Sequence, residues 1–339
     1  MVYERIVFSH ARTALKYGLK NFNIIENDQI LIPKYICESI VQTLEKLKIK
    51  PIFYKVKFNL KPDWDDVQTK FNKKVKGILA VHYFGEPQNL DIFRKFCSKN
   101  NILLIEDNAH GWGSTYKSKN LGEIGDFGII SPRKVINIKS GGYLVLKNSK
   151  KSNMNLVNLK REKNFFNIWK YKSFIKNMIK SKPLLYKSLK SQPKYWELDS
   201  FRELEIDDKL IDYYSLNKIV KVNLNKLRER RRFIYQIWEE FIKNNTNLKP
   251  VFKKLDSGTS PYIFPAFTNS SLESKSYFDW GWRNGFEISS WPTLPKQLSN
   301  DKDVKSLWEM LICFPINETI NPHKLKSKLD LMHKKKTIK

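Results

Sequence analysis

The sequence predicts an α/β fold, a large domain with a mainly parallel sheet followed by a smaller α/β C-terminal domain. Two observations carry this. Between residues 29 and 105, short apolar runs alternate with stretches in which apolar residues recur at helical spacing. The runs themselves, such as Ile30-Leu31-Ile32 and Ile78-Leu79-Ala80-Val81, are nearly continuous rather than alternating, which is the pattern of strands covered on both faces. With 339 residues, 41% of them apolar and 13% aromatic, the chain can build a core of that size and fill two domains.

In chain order, Ser9-His10 leads into a helix whose Ala14, Leu15 and Leu19 share one side. A strand at 29–33, a helix at 36–47 and a strand at 51–56 follow. The apolar run 75–81 is a further strand, leading into the loop His82-Tyr83-Phe84-Gly85-Glu86-Pro87 and a helix with Leu90, Phe93 and Cys97 at helical spacing. Residues 102–105 form the next strand, which delivers Glu106-Asp107 at its end. Ligands of such sheets bind outside the carboxyl ends of the strands, where the His82 loop and the acidic pair both fall. Gly125-Asp126-Phe127-Gly128 reads as a turn, and Gly141-Gly142 as a place where backbone can approach a ligand closely. After a strand at 143–146 the pattern becomes helical, with one long helix over 216–241 carrying Ile219, Val222, Leu227, Phe233, Ile237 and Phe241. A strand at 261–267, a helix at 277–284 and a rigid Pro-bounded loop at 291–295 complete the reading. The boundary is expected in the long helix, giving a large domain over 1–225 and a small one over 226–339.

Charge is the feature most open to misreading. Sixty-two Lys and Arg against thirty-four acids give a net charge of +28, yet the lysines are scattered through helices and loops, as on a solvated surface. No DNA-reading motif accompanies them, so nucleic acid is not the expected partner. The segment 160–194 is the exception, basic with Phe165, Phe166, Trp169, Tyr171 and Phe174 interleaved. It suits a phosphorylated substrate or a membrane surface, and equally an ordinary pair of packed helices. The apolar run in residues 1–9 is too short for a signal peptide and no stretch reaches the roughly 18 apolar residues of a membrane span, so a cytoplasmic protein without integral membrane association is expected. Cys37, Cys97 and Cys313 are far apart, without disulfide or metal spacing.

The chemistry concentrates in residues 102–146. Asp107 closes a buried strand, His110 follows within Glu106-Asp107-Asn108-Ala109-His110, and Lys134 stands in Ser131-Pro132-Arg133-Lys134, seven residues before Gly141. Taken singly these have plain readings: a turn-capping Asp, a structural histidine, one surface lysine among many. Together they resemble the DegT/StrS-type sugar aminotransferases, fold-type I enzymes in which an acidic pair followed by Ala and Gln or His precedes a lysine seven or eight residues before Gly-Gly. The resemblance covers most of residues 5–146 and thins beyond.

That resemblance implies pyridoxal 5'-phosphate (PLP) as cofactor, with Lys134 forming the Schiff base and Asp107 keeping the pyridine nitrogen protonated. It puts His110 at the phenolic oxygen. Ala11-Arg12-Thr13 at a helix N-terminus, and Ser131, would hold the phosphate. Tyr35 and Cys37 match the loop over the ring face, and Tyr83 and His82 the substrate side. Three departures stand out: Ala11 replaces a glycine, Ile129 stands where many relatives have a serine, and Asp212-Tyr213-Tyr214-Ser215 stands roughly where many have Asn-Tyr-Arg-Met. The implied activity is transfer of an amino group, from glutamate, to a keto sugar on a nucleoside diphosphate, by a homodimer serving surface-polysaccharide or amino-sugar biosynthesis. Two alternatives stay open. A PLP sugar dehydratase of this fold would replace the lysine by histidine, against which Lys134 argues; a non-catalytic binding or regulatory protein of the same fold would show no cofactor spectrum.

Overall fold

The computed structural model describes residues 3–147, 159–163 and 206–334, so most of the basic aromatic segment, residues 164–194, lies outside the described residues. The chain runs β1 (Tyr3–Phe8), α1 (Ala11–Asn21), β2 (Gln29–Pro33), α2 (Glu38–Lys46), β3 (Lys50–Tyr54), α3 (Trp64–Lys70), β4 (Val75–Val81), α4 (Leu90–Asn100) and β5 (Leu103–Asn108). A small hairpin, β6 (Thr115–Tyr116) and β7 (Lys119–Asn120), precedes β8 (Phe127–Ile130), the single turn α5 (Pro132–Val135) and β9 (Gly142–Lys147). With β10 (Lys160–Arg161) and β11 (Lys209–Leu210) these make a nine-stranded sheet ordered β10-β11-β1-β9-β8-β5-β4-β2-β3. From β3 to β8 neighbouring strands are parallel; β9 runs antiparallel to both β8 and β1.

Beyond it come α6 (Tyr213–Val220), α7 (Leu224–Asn245), β12 (Lys249–Pro250), β13 (Ile263–Phe267), α8 (Ser271–Arg283), α9 (Lys302–Met310), β14 (Leu311–Pro315) and α10 (Pro322–Lys334). The three strands form a second, antiparallel sheet. Trp238, Phe241, Phe264, Phe278 and Phe314 build its core. A separate apolar cluster joins Val251, Ile263, Phe267 and Leu311 to Leu15, Ile32, Leu79 and Ile129, so the two sheets share packing across the boundary expected at 225/226.

Several elements differ from the sequence reading. β1 takes its place through Ile6 and Phe8, too short an apolar pattern to stand out alone. The single helix expected over 216–241 is two, because the Asn223 side chain accepts from the amides of Asn225 and Lys226 and caps a new start. Phe127 and Gly128, read as part of a turn, lie within β8. Gly128 is needed there because a Cβ would come within 2.3 Å of the Gly122 carbonyl oxygen, where the preceding loop crosses the strand. Gly142 likewise makes room for backbone and not for a ligand: a Cβ would lie 2.1 Å from the His10 carbonyl carbon, at the start of α1.

The strand expected at 102–105 continues to Asn108, which carries the acidic pair inside β5. Alternation then turns Glu106 and Asp107 to opposite faces. Glu106 is fully buried and accepts from the amides of Gly122 (2.9 Å), Ile124 (2.6 Å) and Gly125 (2.5 Å). His82 Nε2 lies 3.1 Å from its Oε2, while His82 Nδ1 accepts from the Gln88 amide, so the neutral ring carries its proton on Nε2 and donates it to Glu106. Burial pushes the Glu106 carboxyl up, but the donors from His82, Gly122 and Gly125 outweigh it and hold the group below its ordinary value. Glu106→Gln would set an amide donor against backbone donors, and should cost about 3 kcal/mol or more, as breaking a buried ionic network does. Urea unfolding at neutral pH checks this: an unchanged midpoint would contradict it. Because the fold favours the ionised form, the gap between parent and variant should shrink as pH falls through the acid range.

Candidate active site

The carboxyl ends of β4, β5 and β8 open on a cavity of about 430 Å³. Asp107 reaches it from β5, Ser131 and Lys134 from the turn after β8, and Ala11 and Arg12 from the start of α1. Asp107 is buried and its Oδ1 accepts from the Ala109 amide at 2.9 Å. Burial raises its pKa, opposed chiefly by the charge of Lys134. A second cation brought to this carboxylate would therefore stabilise it.

His110 stands between Asp107 and Lys134 in the chemistry of the cavity. Its Nε2 is 3.0 Å from Lys134 Nζ. The Phe84 amide donates to Nδ1 at 3.3 Å, so the neutral ring carries its proton on Nε2, and the contact with Nζ is a hydrogen bond when the amine offers its lone pair. That is also the nucleophilic form of an amine. Burial, then the charge of Lys134, push the imidazole well below its ordinary pKa. The ring is held between Phe84 (5.7 Å between centroids, 4° between planes) and Tyr262 (4.7 Å, 15°), with Trp291 edge-on at 4.8 Å. Phe84 reaches this position with φ of 56°, a left-handed backbone unusual for a bulky side chain.

The N-terminus of α1 receives no hydrogen bond from the side chain of its cap residue, His10, and its first residues, Ala11 and Arg12, line the cavity. Burial, then Arg12 and Arg133, lower His10 to about 4, so it stays neutral beside that helix start at neutral pH.

Of the residues singled out from sequence, Ala11, Arg12, Cys37, His82, Asp107, His110, Ser131 and Lys134 line the cavity. Three do not. Thr13 is fully buried and its hydroxyl donates to Asp207 at 2.9 Å, behind the helix start. Tyr35 turns its hydroxyl to the Trp291 carbonyl, and Tyr83 donates to the Tyr35 carbonyl at 2.5 Å, so both tyrosines brace the wall from behind. His82 is on the wall, but both its ring nitrogens are engaged by Glu106 and Gln88, which leaves no ring nitrogen for a substrate. Sequence reasoning missed Arg133, Glu38, Trp291 and Thr293 as lining residues. The Trp-Pro-Thr run was visible as a rigid loop, but nothing local said that it folds back onto the start of α2, where the Glu38 amide donates to the Thr293 carbonyl.

The sequence profile of the DegT/DnrJ/EryC1/StrS aminotransferase family matches residues 2–161. The GDP-perosamine synthase of Vibrio cholerae is 29% identical over 140 residues, covering 40% of this chain and 38% of that protein. The chain thus spans well under half the length of the curated relatives it matches. Among solved structures, Helicobacter pylori PseC, an aminotransferase involved in the biosynthesis of pseudoaminic acid, superposes with a TM-score of 0.67 at 18% identity, over 98% of this chain and 87% of its own. A Streptococcus pneumoniae protein assigned as a sugar aminotransferase, in its PLP form, superposes with a TM-score of 0.70 at 17% identity, over 98% and 86%. The fold is that of fold-type I PLP aminotransferases, and residues 2–161 carry a resemblance to the DegT/DnrJ/EryC1/StrS aminotransferase family.

Proposed function

We propose that the chain is a PLP-dependent aminotransferase that moves an amino group from an amino acid, glutamate by family likeness, to a keto sugar on a nucleoside diphosphate. In this reading it works as a cytoplasmic homodimer in surface-polysaccharide or amino-sugar biosynthesis. The observation that carries it is the convergence of Lys134, His110 and Asp107 on one cavity at the carboxyl edge of a parallel sheet, beside the N-terminus of α1. PLP, when bound, supplies an aldehyde for an amine and a ring that draws electrons from the reacting carbon.

The donor set fits that group. Asp107, a carboxylate that burial pushes up and that a further cation would stabilise, is suited to hold a proton on the ring nitrogen. The first-turn amides of α1, with Arg12 and Ser131, are suited to the phosphate. Lys134 Nζ is the group to take and return the proton that moves during amino transfer. His110, kept neutral by burial, donates from Nε2 and does not compete for that proton. The rings of Phe84, Tyr262 and Trp291 shield this side from water. Arg133 adds a further cation to the cavity, and burial rather than a carboxylate is the main influence on it, which favours an anionic substrate. The substrate class rests on likeness to proteins named GDP-perosamine synthase and to PseC.

Purified parent protein should carry a visible cofactor absorbance that glutamate bleaches, and Lys134→Ala should keep its circular dichroism while losing both properties. A variant that still loads and responds to glutamate would exclude Lys134. Asp107→Asn should retain cofactor yet slow the glutamate half-reaction more than tenfold, a loss above ~1.4 kcal/mol; stopped-flow rates within tenfold of the parent would remove Asp107 from the ring-nitrogen role. Since His110 stays neutral, kcat/KM should show no limb near pH 6.5 that His110→Gln abolishes. Finding such a limb would mean that His110 titrates during turnover.

A further inference from the structure

We propose that Arg231 is a positioning residue for the Lys134 amine, fixing from α7 both sides of the Lys134–His110 contact; this rests on the reading of Lys134 as the reactive amine. Arg231 is 2% exposed. Its Nε donates to the Pro261 carbonyl at 2.7 Å and its Nη2 to the carbonyls of Tyr262 at 2.7 Å and Ile316 at 2.8 Å. Its Nη1 donates to the Val135 carbonyl at 3.3 Å.

Two of those carbonyls frame the site. Val135 follows Lys134 directly and ends α5, the single turn that carries the amine. Tyr262 stacks its ring on His110, and its amide donates to the Phe84 carbonyl at 2.8 Å, next to the amide that fixes the imidazole tautomer. One planar group thus sets the residue beside the amine and the residue whose ring backs the imidazole.

Energetics argue that this geometry is the reason for the residue. Burying a guanidinium is costly, and no carboxylate hydrogen-bonds to Arg231 among the described residues. Burial lowers it to about 10, so it remains charged at neutral pH. An apolar side chain could fill the same volume without the desolvation cost, but only a rigid fork reaches four carbonyls from three segments at once. The neighbouring arginines do different work: Arg230 donates to the carbonyls of Glu318 and Ile320, and Arg232 to those of Asp256 and Thr259. Among these three, only Arg231 donates to α5.

The test uses the whole chain, stripped of cofactor with hydroxylamine and then reloaded with PLP, with Arg231→Lys as the variant and Arg230→Lys as a control. The readouts are the reloading rate of Lys134 as a function of pH, followed by absorbance and assigned by mass spectrometry, together with circular dichroism and melting temperature. Arg231→Lys should keep the native spectrum but load Lys134 at least tenfold more slowly, with a shifted pH dependence and with label spreading to other lysines. Arg230→Lys should lower the melting temperature without changing the loading rate. An unchanged rate, pH dependence and selectivity in Arg231→Lys would overturn the proposal, leaving the residue purely structural. Loss of the native spectrum would also overturn it, by assigning Arg231 to folding itself. Failure of the parent to load at Lys134 would be a different result, removing the reading on which the proposal rests.

Discussion

A carboxylate sealed within the sheet, Glu106, holds the cavity edge of this molecule together. It satisfies amides from the loop that crosses β8 and the ring of His82 at the end of β4, and so ties three neighbouring strands to one point. The ordering has a directional consequence. Side chains alternate along β5, so a fixed Glu106 leaves Asp107 only the opposite face, toward the cavity. Buried amides without that acceptor would each carry the cost of a lost hydrogen bond, which is why the loop cannot drift. The glycines serve the same purpose, since Gly128 admits the loop and Gly142 admits the start of α1.

The opposite side of the cavity depends on the second half of the chain. Tyr262 and Trp291 close the aromatic cage around His110, Thr293 anchors the start of α2, and Arg231 spans from α7 to the turn bearing Lys134. Phe84 completes the cage from the loop after β4, in a left-handed conformation whose strain of order 1 kcal/mol is offset by its stacking and by the hydrogen bond to His110. The family profile ends at residue 161, yet two of the three rings around His110, those of Tyr262 and Trp291, lie beyond that point. The cavity is lined from one half of the chain and closed by the other.

What could be read from the sequence follows from which signals are local. Apolar runs named β2, β4 and β5 because their burial on both faces removes polar residues from the strand itself. Asp107, His110 and Lys134 were legible because their spacing is short and tied to a strand end and a turn. That Thr13, Tyr35 and Tyr83 do not line the cavity was not legible for the converse reason: their partners, Asp207 and the Trp291 carbonyl among them, are far off in sequence, and only the fold shows where their hydroxyls turn. Arg231 was invisible for the same cause, as one of three consecutive arginines on a helix that periodicity alone marks as amphipathic. The break at Asn223 was legible in principle, since an Asn before a helical run is a cap signal that apolar periodicity overrides when it is read alone.

The account turns on one amine. Lys139, five residues further on, is engaged by Glu162 at 3.0 Å and does not line the cavity, so it is the informative competitor. Borohydride reduction of the PLP-loaded protein, followed by digestion and peptide mapping, reads out directly which nitrogen holds the cofactor. A single reduced adduct on Lys134 is the predicted result; an adduct on Lys139, or on any lysine outside the cavity, would contradict it.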